Sequence, residues 1–263
     1  MPTDRFISQT AALRALGGRR VWSLMISLFG DLAREQDQAI DGPILSAIMA
    51  GLKVKPEAVR VALHRLRNDG WIVSEKSGRI GRHRLSAKGR AESVAASPRI
   101  YADPTRNSEA WQLVLTPGGN AEPSTEMTER GFSFIVPRVY VGPAGAKAPG
   151  DALALPGREV PDWLRAEAEP DALRQNYTDL LETLGRLKED LPPVDDLLPV
   201  EVAVLRCLIV HNWRRLVLKH PALPLSLVRP DWPGHLCHLA VHDLLTRYPR
   251  PPLEEIEQYR AAA

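Results

Sequence analysis

Apolar residues recur at helical spacing between residues 53 and 90, and cations occupy many of the polar positions between them. Pro56 suits the first position of a helix. The apolar stripe that follows it comprises Val59, Ala62, Leu63 and Leu66. The opposite face carries Arg60, Val61, His64, Arg65 and Asn68. This pattern predicts an amphipathic helix with one buried face and one largely cationic face.

A short hairpin is predicted directly after this helix. Asp69-Gly70 ends the helix, and Trp71-Ile72-Val73 is typical of a strand. Lys76-Ser77-Gly78-Arg79 indicates a turn, and Arg82-His83-Arg84-Leu85-Ser86 indicates a returning strand. A cationic helix followed by a hairpin with a cationic tip is the pattern of a DNA recognition helix followed by a wing.

The segment before this helix supplies the remaining parts of such a module. Residues 23–34 are strongly apolar and predict a helix that buries one face. Leu45, Ile48 and Met49 predict a second, shorter helix that ends at Gly51. The order of helix, helix, recognition helix and hairpin predicts a winged helix-turn-helix at the N-terminus.

The charge distribution supports a polyanionic partner. The whole chain carries a formal net charge of only +2, which by itself predicts nothing about partners. Between Lys53 and Arg90, however, eleven Lys or Arg residues face three acidic residues. Residues 1–95 hold sixteen cations and nine acids, so the remainder of the chain is acidic. A basic N-terminal module on a mildly acidic body is typical of a tethered DNA reader, although a solvated charged helix beside a polar hairpin would have the same composition.

The predicted partner is double-stranded operator DNA. We expect Arg60, His64 and Arg65 to enter the major groove, because only the face opposite the apolar stripe is free to reach base edges. The hairpin cations are expected to contact phosphate or the minor groove beside it. The complete set of predicted DNA-binding residues is Lys55, Arg60, His64, Arg65, Asn68, Lys76, Arg79 and Arg82.

Three separated blocks of the sequence resemble one family. They are SLMISLFGDLAR, VRVALHRLRNDGW, and LRCLIVHNWRRLVLKHPALP together with RPDWPGHLC. They are similar to the PaaX family, the repressors of phenylacetate-degradation operons, and the resemblance spans nearly the whole chain. It implies a homodimeric repressor of aromatic-catabolism genes that binds near promoters and is released by phenylacetyl-coenzyme A. It also implies a ferredoxin-like middle domain and a helical C-terminal domain.

The predicted fold class is α+β, with three consecutive domains. A winged-helix domain is expected at residues 1–95, a small ferredoxin-like domain at 96–160 and a helical domain at 161–263. Residues 87–108 are interpreted as a connector that is helical from Ala91 to Ala96 and is then interrupted at Ser97-Pro98 and Asp103-Pro104. Strands of the middle domain are predicted at 111–115, 132–136 and 139–141, followed by a loose Pro/Gly/Ala segment at 144–157. Helical periodicity then begins at residue 173 and predicts three long helices, the last from Gly234 to about Tyr248.

Composition favours a cytoplasmic protein with no cofactor. No stretch is long and apolar enough for a transmembrane span, and the N-terminus lacks the apolar run of a secretory signal. The two cysteines, Cys207 and Cys237, are expected to be reduced and buried. Catalysis has no positive signal, because no nucleophile elbow, phosphate-binding glycine loop or paired CxxC is present.

Cations in the predicted C-terminal helices form a candidate effector site. Arg206, Arg214, Arg215 and Lys219 are interpreted either as an ordinary solvated face or, in part, as ligands of coenzyme A phosphates. The predicted ligand-binding set is Arg214 and Arg215 as phosphate ligands, with Trp213 and Trp232 as aromatic walls. The alternative is that both tryptophans belong to the core.

Histidines concentrate in the same region. His235, His238 and His242 share one face of a predicted helix, so a metal site is conceivable. No glutamate lies between His238 and His242 as in the HExxH arrangement. A polar helical surface or an interface is the preferred interpretation, and no metal ligand is predicted.

Two classes of function therefore remain. The first is a ligand-responsive, DNA-binding repressor. The second is an acyl-coenzyme A-binding protein or an enzyme that uses the winged domain only for protein interaction. The first requires Arg60, His64 and Arg65 to be exposed together with the hairpin, whereas the second would tolerate their burial.

Overall fold

The computed structural model describes residues 2–18, 20–104, 110–118, 124–169, 171–219 and 224–256. Over these ranges the protein combines helices with two small antiparallel sheets, which confirms the predicted α+β class. The helices are α1 (Asp4–Gln9), α2 (Ala11–Leu16), α3 (Val21–Leu32), α4 (Gly42–Gly51), α5 (Pro56–Asn68), α6 (Ala87–Ile100), α7 (Thr125–Glu129), α8 (Asp162–Ala168), α9 (Asp171–Asp190), α10 (Pro199–Val217) and α11 (Pro233–Arg247). The strands are β1 (Ile40–Asp41), β2 (Ile72–Ser77), β3 (Ile80–Leu85), β4 (Trp111–Leu115), β5 (Ser133–Val136), β6 (Val139–Pro143) and β7 (Leu153–Pro156).

The chain forms two compact units, each built from segments that are not consecutive in the sequence. Unit 1 comprises Met1–Tyr101, Asp179–Arg215 and Ala240–Ala263, and unit 2 comprises Ala102–Thr178 and Leu216–Leu239. The division into three consecutive domains at residues 95 and 160 stays a prediction. Unit 1 groups C-terminal segments with the N-terminal module.

Helices α3, α4 and α5 pack together in unit 1 as the sequence predicts. Helix α5 begins at Pro56. Just after its end, Gly70 has a φ of +71°, a left-handed conformation that favours glycine. Helix α5 packs against both α3 and α4, and of its predicted apolar stripe Val59, Ala62 and Leu66 are buried and Leu63 is half-buried.

The hairpin is longer than predicted, because its turn contains only two residues. Ser77 pairs with Ile80, so Gly78 and Arg79 form the turn, and Gly78 has a φ of +62°. Lys76, predicted to lie in the turn, is a strand residue opposite Gly81. Strand β1, which the sequence pattern does not predict, adds to β3 and completes the order β1-β3-β2.

The predicted connector begins with a helix over residues 87–100, which is longer than the helical stretch predicted at 91–96. Ser86 caps α6 by accepting a hydrogen bond from the Gly89 amide, and Pro98 lies inside the helix near its end. A Cβ placed on Gly89 would lie 2.2 Å from the Trp71 carbonyl oxygen. Glycine is therefore required where α6 packs closely against the start of the hairpin.

Helix α10 is buried around its whole circumference in unit 1. Every residue from Val200 to Trp213 is buried, including four polar ones. Those polar residues are Glu201, Arg206, His211 and Asn212, and each has a hydrogen-bond partner in unit 1. The interpretation of Arg206 as part of a solvated face is wrong, since it pairs with Asp31 of α3.

Unit 2 contains a four-stranded sheet in the order β5-β6-β4-β7. Two apolar clusters pack against it, one comprising Trp111, Val141, Leu164 and Leu227 and the other Val114, Met127, Phe132 and Tyr140. Strand β7 lies within the segment interpreted as loose, where the sequence predicts no strand. The elements follow the order β-α-β-β-β, so the second helix of a ferredoxin-like β-α-β-β-α-β unit is absent from residues 144–152. The ferredoxin-like assignment stays a prediction.

Both cysteines are buried and free, as predicted. Burial raises the pKa of the Cys237 thiol to about 12, and it raises that of Cys207 as well. No helix among the described residues is both long enough and apolar enough to cross a membrane.

Candidate nucleic-acid interface

The cationic face of α5 is open to solvent. Arg60, His64, Arg65 and Asn68 are all exposed, as are Lys76, Arg79 and Arg82 on the hairpin. Lys55, which directly precedes α5, is also exposed. All eight residues predicted to bind DNA are therefore accessible, and the hypothesis of a DNA reader requires this accessibility.

Four of these eight side chains are free cations. Within the described residues, Lys55, Arg60, Lys76 and Arg79 have no ion pair and no side-chain hydrogen bond. An exposed cation without a protein counterion is neutralised by dissolved ions, which a polyanion can replace. These four positions are consequently the best prepared for phosphate or base contacts.

The other four side chains are held by neighbours. The Arg65 guanidinium lies 4.7 Å from the centre of the Trp22 ring and 3.4 Å from an Asp69 carboxylate oxygen. The side chains of His64 and Asn68 are hydrogen-bonded at 3.3 Å. Arg82 pairs with Asp41 of β1 at 3.4 Å. These contacts limit the conformations of exposed side chains, which lowers the entropy lost if they bind a partner.

The acids of this surface are mostly neutralised. Asp69 pairs with Arg65, and Glu75 pairs with Arg84 at 2.6 Å across the hairpin. The hydrogen bond and the charge of Arg84 lower the pKa of the Glu75 carboxyl. Glu57, in the first turn of α5, is the remaining acid between residues 53 and 90, and it has no ion pair among the described residues. The surface is therefore predominantly cationic.

A buried histidine supports the hairpin from within. The His83 ring is hydrogen-bonded to the Ser74 hydroxyl at 2.8 Å across the two strands. Burial, assisted by the charge of Arg67, lowers the pKa of His83. His83 alternates along β3 with Arg82 and Arg84, which point outwards. This alternation of side chains along the strand is the sequence signal that His83 faces inwards.

A groove beside α5 has no counterpart among the predicted sites. Its volume is about 720 Å³, and its walls come from the start of α3 and from one flank of α5. The lining includes Arg20, Trp22, Ala58, Val61, Ala62 and Arg65. Val61 belongs to the predicted exposed face of α5 but has no predicted role. Its spacing with Ala58, Ala62 and Arg65, at i, i+3, i+4 and i+7, is the signal that could have revealed this flank.

The structure does not bring the four predicted effector ligands to one place within either unit. Trp213 is buried in unit 1, where its Nε1 donates to the Ile100 carbonyl at 3.0 Å. Trp232 is buried in unit 2, with its ring 5.6 Å from that of Tyr177. Arg215 donates to the Leu16 carbonyl at 3.0 Å. The assignment of these residues to an effector stays a prediction.

Arg214 has a buried donor without a hydrogen-bond partner among the described residues. Its Nη2 donates to the Ser23 hydroxyl at 3.1 Å, while its buried Nε has no hydrogen-bond partner among the described residues. Burial lowers the pKa of this guanidinium. Arg214 also lines a cavity of about 30 Å³ in unit 1, together with Ile26, Trp71 and Ile100. A buried cation without a carboxylate partner favours an incoming anion.

The C-terminal histidines make separate contacts. In unit 2, His238 Nε2 lies 2.8 Å from the Ala102 carbonyl oxygen. His235 is half-buried and His242 is exposed. In the part of the chain that the structure describes, no group of three or more His, Cys, Asp or Glu side chains is placed to share a metal ion.

Comparison with known proteins finds relatives over most of the chain. A family model described as PaaX-like protein matches residues 20–89, and one described as PaaX-like protein C-terminal domain matches residues 169–252. The transcriptional repressor PaaX of Escherichia coli (strain K12) is 28% identical over 257 residues, covering 88% of this chain and 80% of that protein. Among solved structures, an uncharacterized protein from Mycobacterium tuberculosis matches with a TM-score of 0.47 and 20% identity, covering 94% of this chain and 98% of the other.

Proposed function

The chain belongs to the PaaX-like protein family, and from this premise we propose that the protein is a transcription regulator that binds double-stranded operator DNA. The regulator acts in the cytoplasm as a repressor, and it is not an enzyme. The relative named a transcriptional repressor, which matches 88% of this chain, supports this direction of control.

We propose that α3, α4, α5 and the β2-β3 hairpin form a winged helix-turn-helix. The order and packing of these elements support this assignment, since α5 follows two packed helices and leads into a hairpin with an exposed, cationic turn. In this arrangement α5 enters the major groove, and the hairpin lies beside the adjacent backbone.

One observation carries the proposal. Arg60 on α5 and Lys76 and Arg79 on the hairpin are exposed and have no acidic partner within the described residues. Unpaired cations on neighbouring elements of one module match a polyanion, because each phosphate contact releases condensed counterions and so strengthens binding. A surface for a protein partner would more commonly be depleted of lysine and rich in apolar side chains at its centre.

We propose further that the working species is a homodimer. One winged module contacts only a few base pairs, whereas two modules related by a twofold axis bind two half-sites and gain affinity and specificity together. The operator is then an inverted repeat whose spacing follows from the separation of the two α5 helices.

The proposed effector is an aryl-acyl-coenzyme A, with phenylacetyl-coenzyme A as the first candidate, and the proposed target genes are those of aromatic-compound (phenylacetate) catabolism. The resemblance of the three sequence blocks to this family supports both. Arg214 supports an anionic ligand, because its buried Nε has no partner and its cation has no neighbouring carboxylate in the described structure. The effector releases DNA by binding more tightly to the conformation that does not fit the operator.

The alternative is an acyl-coenzyme A-binding protein or an enzyme in which the winged module binds another protein. That function would tolerate burial of Arg60, His64 and Arg65, but all three are exposed. Their exposure favours the DNA-binding function.

The test is a mobility shift assay on the DNA upstream of the protein's own gene, with and without phenylacetyl-coenzyme A. We expect a shifted band that an Arg60→Ala, Arg79→Ala double variant loses. Arg186→Ala is the matched control, because Arg186 is an exposed cation on α9 outside this surface. Retention of the shift by the double variant, or its loss in the control, would contradict the proposed interface.

A further inference from the structure

Val61 is an exposed apolar side chain in the middle of a cationic surface. Its exposure is 70%, and no other large apolar side chain among the described residues is more exposed. Valine also has a lower helix propensity than alanine, because its χ1 freedom is restricted against the preceding turn. Neither core packing nor helix formation therefore accounts for valine at this position.

The geometry of α5 places Val61 near the centre of the face opposite the core. At about 100° per residue, Val61 lies about 20° from Asn68, about 40° from Arg65 and about 60° from His64 around the helix axis. The buried residues Val59 and Leu66 lie on the other side. A partner that contacts both Arg65 and His64 therefore also contacts the methyl groups of Val61.

The wall next to Val61 holds an arginine against an aromatic ring. Arg65 and Trp22 line the groove beside Val61, and the Arg65 guanidinium lies 4.7 Å from the Trp22 ring centre. Arg20, at the start of α3, is a further cation of this groove. An apolar centre between cations fits a ligand with an apolar group set among anionic ones.

We propose that Val61 contacts the 5-methyl group of a thymine in the major groove and thereby specifies a T·A pair. The thymine methyl is an apolar group on the major-groove base edges, where a small apolar side chain distinguishes T from C. The phosphates that flank the groove supply the anionic surroundings that Lys55, Lys76 and Arg79 match. The inference rests on the proposed function and adds one position of the operator to it.

A second copy of this chain is a poorer occupant of the same surface. Two copies that meet through α5 would bring Arg60, Arg65 and the hairpin cations of one subunit against the same cations of the other. Like charges at close range repel, so this face is unsuited to self-association.

The experiment begins with selection of random duplexes by the full-length protein, which yields a consensus site directly from the pool. Each thymine of that consensus is then replaced singly by uracil, which removes only the methyl group. For the wild type we expect one thymine per half-site at which the replacement weakens binding about fourfold, corresponding to about 0.8 kcal/mol for one buried methyl-sized group.

The variant Val61→Ala should bind thymine and uracil duplexes equally at that position. The control Val94→Ala should keep the fourfold difference, because Val94 is an exposed valine on α6, 54% accessible, outside this face. Ala at position 61 is a better helix former, so loss of folding does not confound the result. Circular dichroism of both variants checks this.

The outcomes separate the two levels of the proposal. A protein that selects no sequence overturns the proposed function, and the reading of thymine fails with it. A consensus with no methyl-sensitive thymine overturns the inference about Val61 alone. So does a sensitivity that persists in Val61→Ala, because the methyl group would then act through the shape of the duplex.

Discussion

Asp31 on α3 and Arg206 on α10 form a buried bidentate ion pair although 175 residues separate them in the sequence. Both nitrogen–oxygen distances are 2.9 Å. Tyr101 and Arg250 donate to the same carboxylate, at 2.9 Å and 3.1 Å. Arg206 also donates to the Tyr248 carbonyl, so this network joins the first helix of the proposed DNA-binding module to the C-terminal segments of unit 1.

The network is maintained by an ionised Asp31. Burial would raise the pKa of this carboxyl, but the hydrogen bonds and charge of Arg206, together with the charge of Arg250, hold it below its usual value. Removing one partner of a buried pair leaves the other as an uncompensated charge. We therefore expect Asp31→Asn to lower the free energy of unfolding at pH 7 by about 3 kcal/mol or more.

Urea denaturation measures this loss, and the exposed pair of Glu182 and Arg186 is the control. Glu182→Gln should change stability by less than about 1 kcal/mol. The deficit of Asp31→Asn should also shrink in acid. A carboxyl with a depressed pKa stabilises the fold above its unfolded pKa of about 3.9 and loses that contribution as the pH falls further. A deficit that does not depend on pH would contradict the ionic origin.

A second prediction concerns the pH dependence that His211 imposes. Burial, with the charges of Arg214 and Arg215, lowers its pKa to about 4, while its Nδ1 lies 3.1 Å from the Ser27 hydroxyl. His211 is therefore protonated near pH 6.5 in the unfolded chain but stays neutral at that pH in the folded chain. Stability should fall as the pH falls from about 6.5 to about 4, with His211 contributing at most about 1.4 kcal/mol per pH unit.

The variant His211→Gln should flatten this part of the stability curve, measured by urea denaturation at several pH values. His83 also has a pKa lowered by burial, so some pH dependence should remain. His242 is exposed, and His242→Gln serves as the control that should leave the curve unchanged. A curve for His211→Gln that is as steep as that of the wild type would show that His211 titrates normally.

A third prediction separates base reading from phosphate contact. Arg60 lies on α5 and Arg79 in the hairpin turn, and both are free of ion pairs in the described structure. Arg60→Ala should cost about 1 to 3 kcal/mol of binding free energy and relax sequence preference. Arg79→Ala should weaken all duplexes alike and reduce the slope of log affinity against log salt by about 1. Fluorescence anisotropy titrations on several duplexes, at several salt concentrations, measure both. Uniform losses for both variants would remove the assignment of separate roles.

A fourth prediction is that the protein is a dimer at micromolar concentration. Sedimentation equilibrium should give about twice the mass of 29.1 kDa for the free protein. On a duplex that contains both half-sites, two chains should bind one duplex. A monomer in both experiments would remove the dimer and, with it, the expected inverted repeat.

A fifth prediction concerns the effector. Isothermal titration of the wild type with phenylacetyl-coenzyme A should release or absorb heat, and an Arg214→Ala, Arg215→Ala double variant should bind more weakly. Arg215 already donates to the Leu16 carbonyl, so Arg214→Ala alone should account for most of the loss. Equal affinities of wild type and double variant would rule out the phosphate contact. Absence of heat with the wild type, confirmed by equilibrium dialysis, would indicate a different effector.

The sequence by itself determined the local parts of the proposed interface. The stripe of Val59, Ala62 and Leu66 depends on contacts three and four residues apart, so α5 and its exposed face follow from the chain alone. Asp69-Gly70 and Gly78 mark changes of direction that glycine permits locally. These features require no distant partner. The predictions of α5 and of its end before Gly70 are confirmed, whereas the turn contains only two of its four predicted residues, Gly78 and Arg79.

Only the tertiary structure decided which polar residues are buried. Arg206, Arg214 and Arg215 are all arginines of one predicted helix, and the sequence does not show which of them is buried. Arg206 differs because it forms an ion pair with Asp31 of α3. The two strand residues of β1 are too few for a periodic signal, and β3 pairs with them across about forty positions of the chain. The burial of Asp31 and Arg206 depends on how the whole chain packs. A charge can be buried only where the fold brings an oppositely charged partner to it, because desolvation of an unpaired charge is costly.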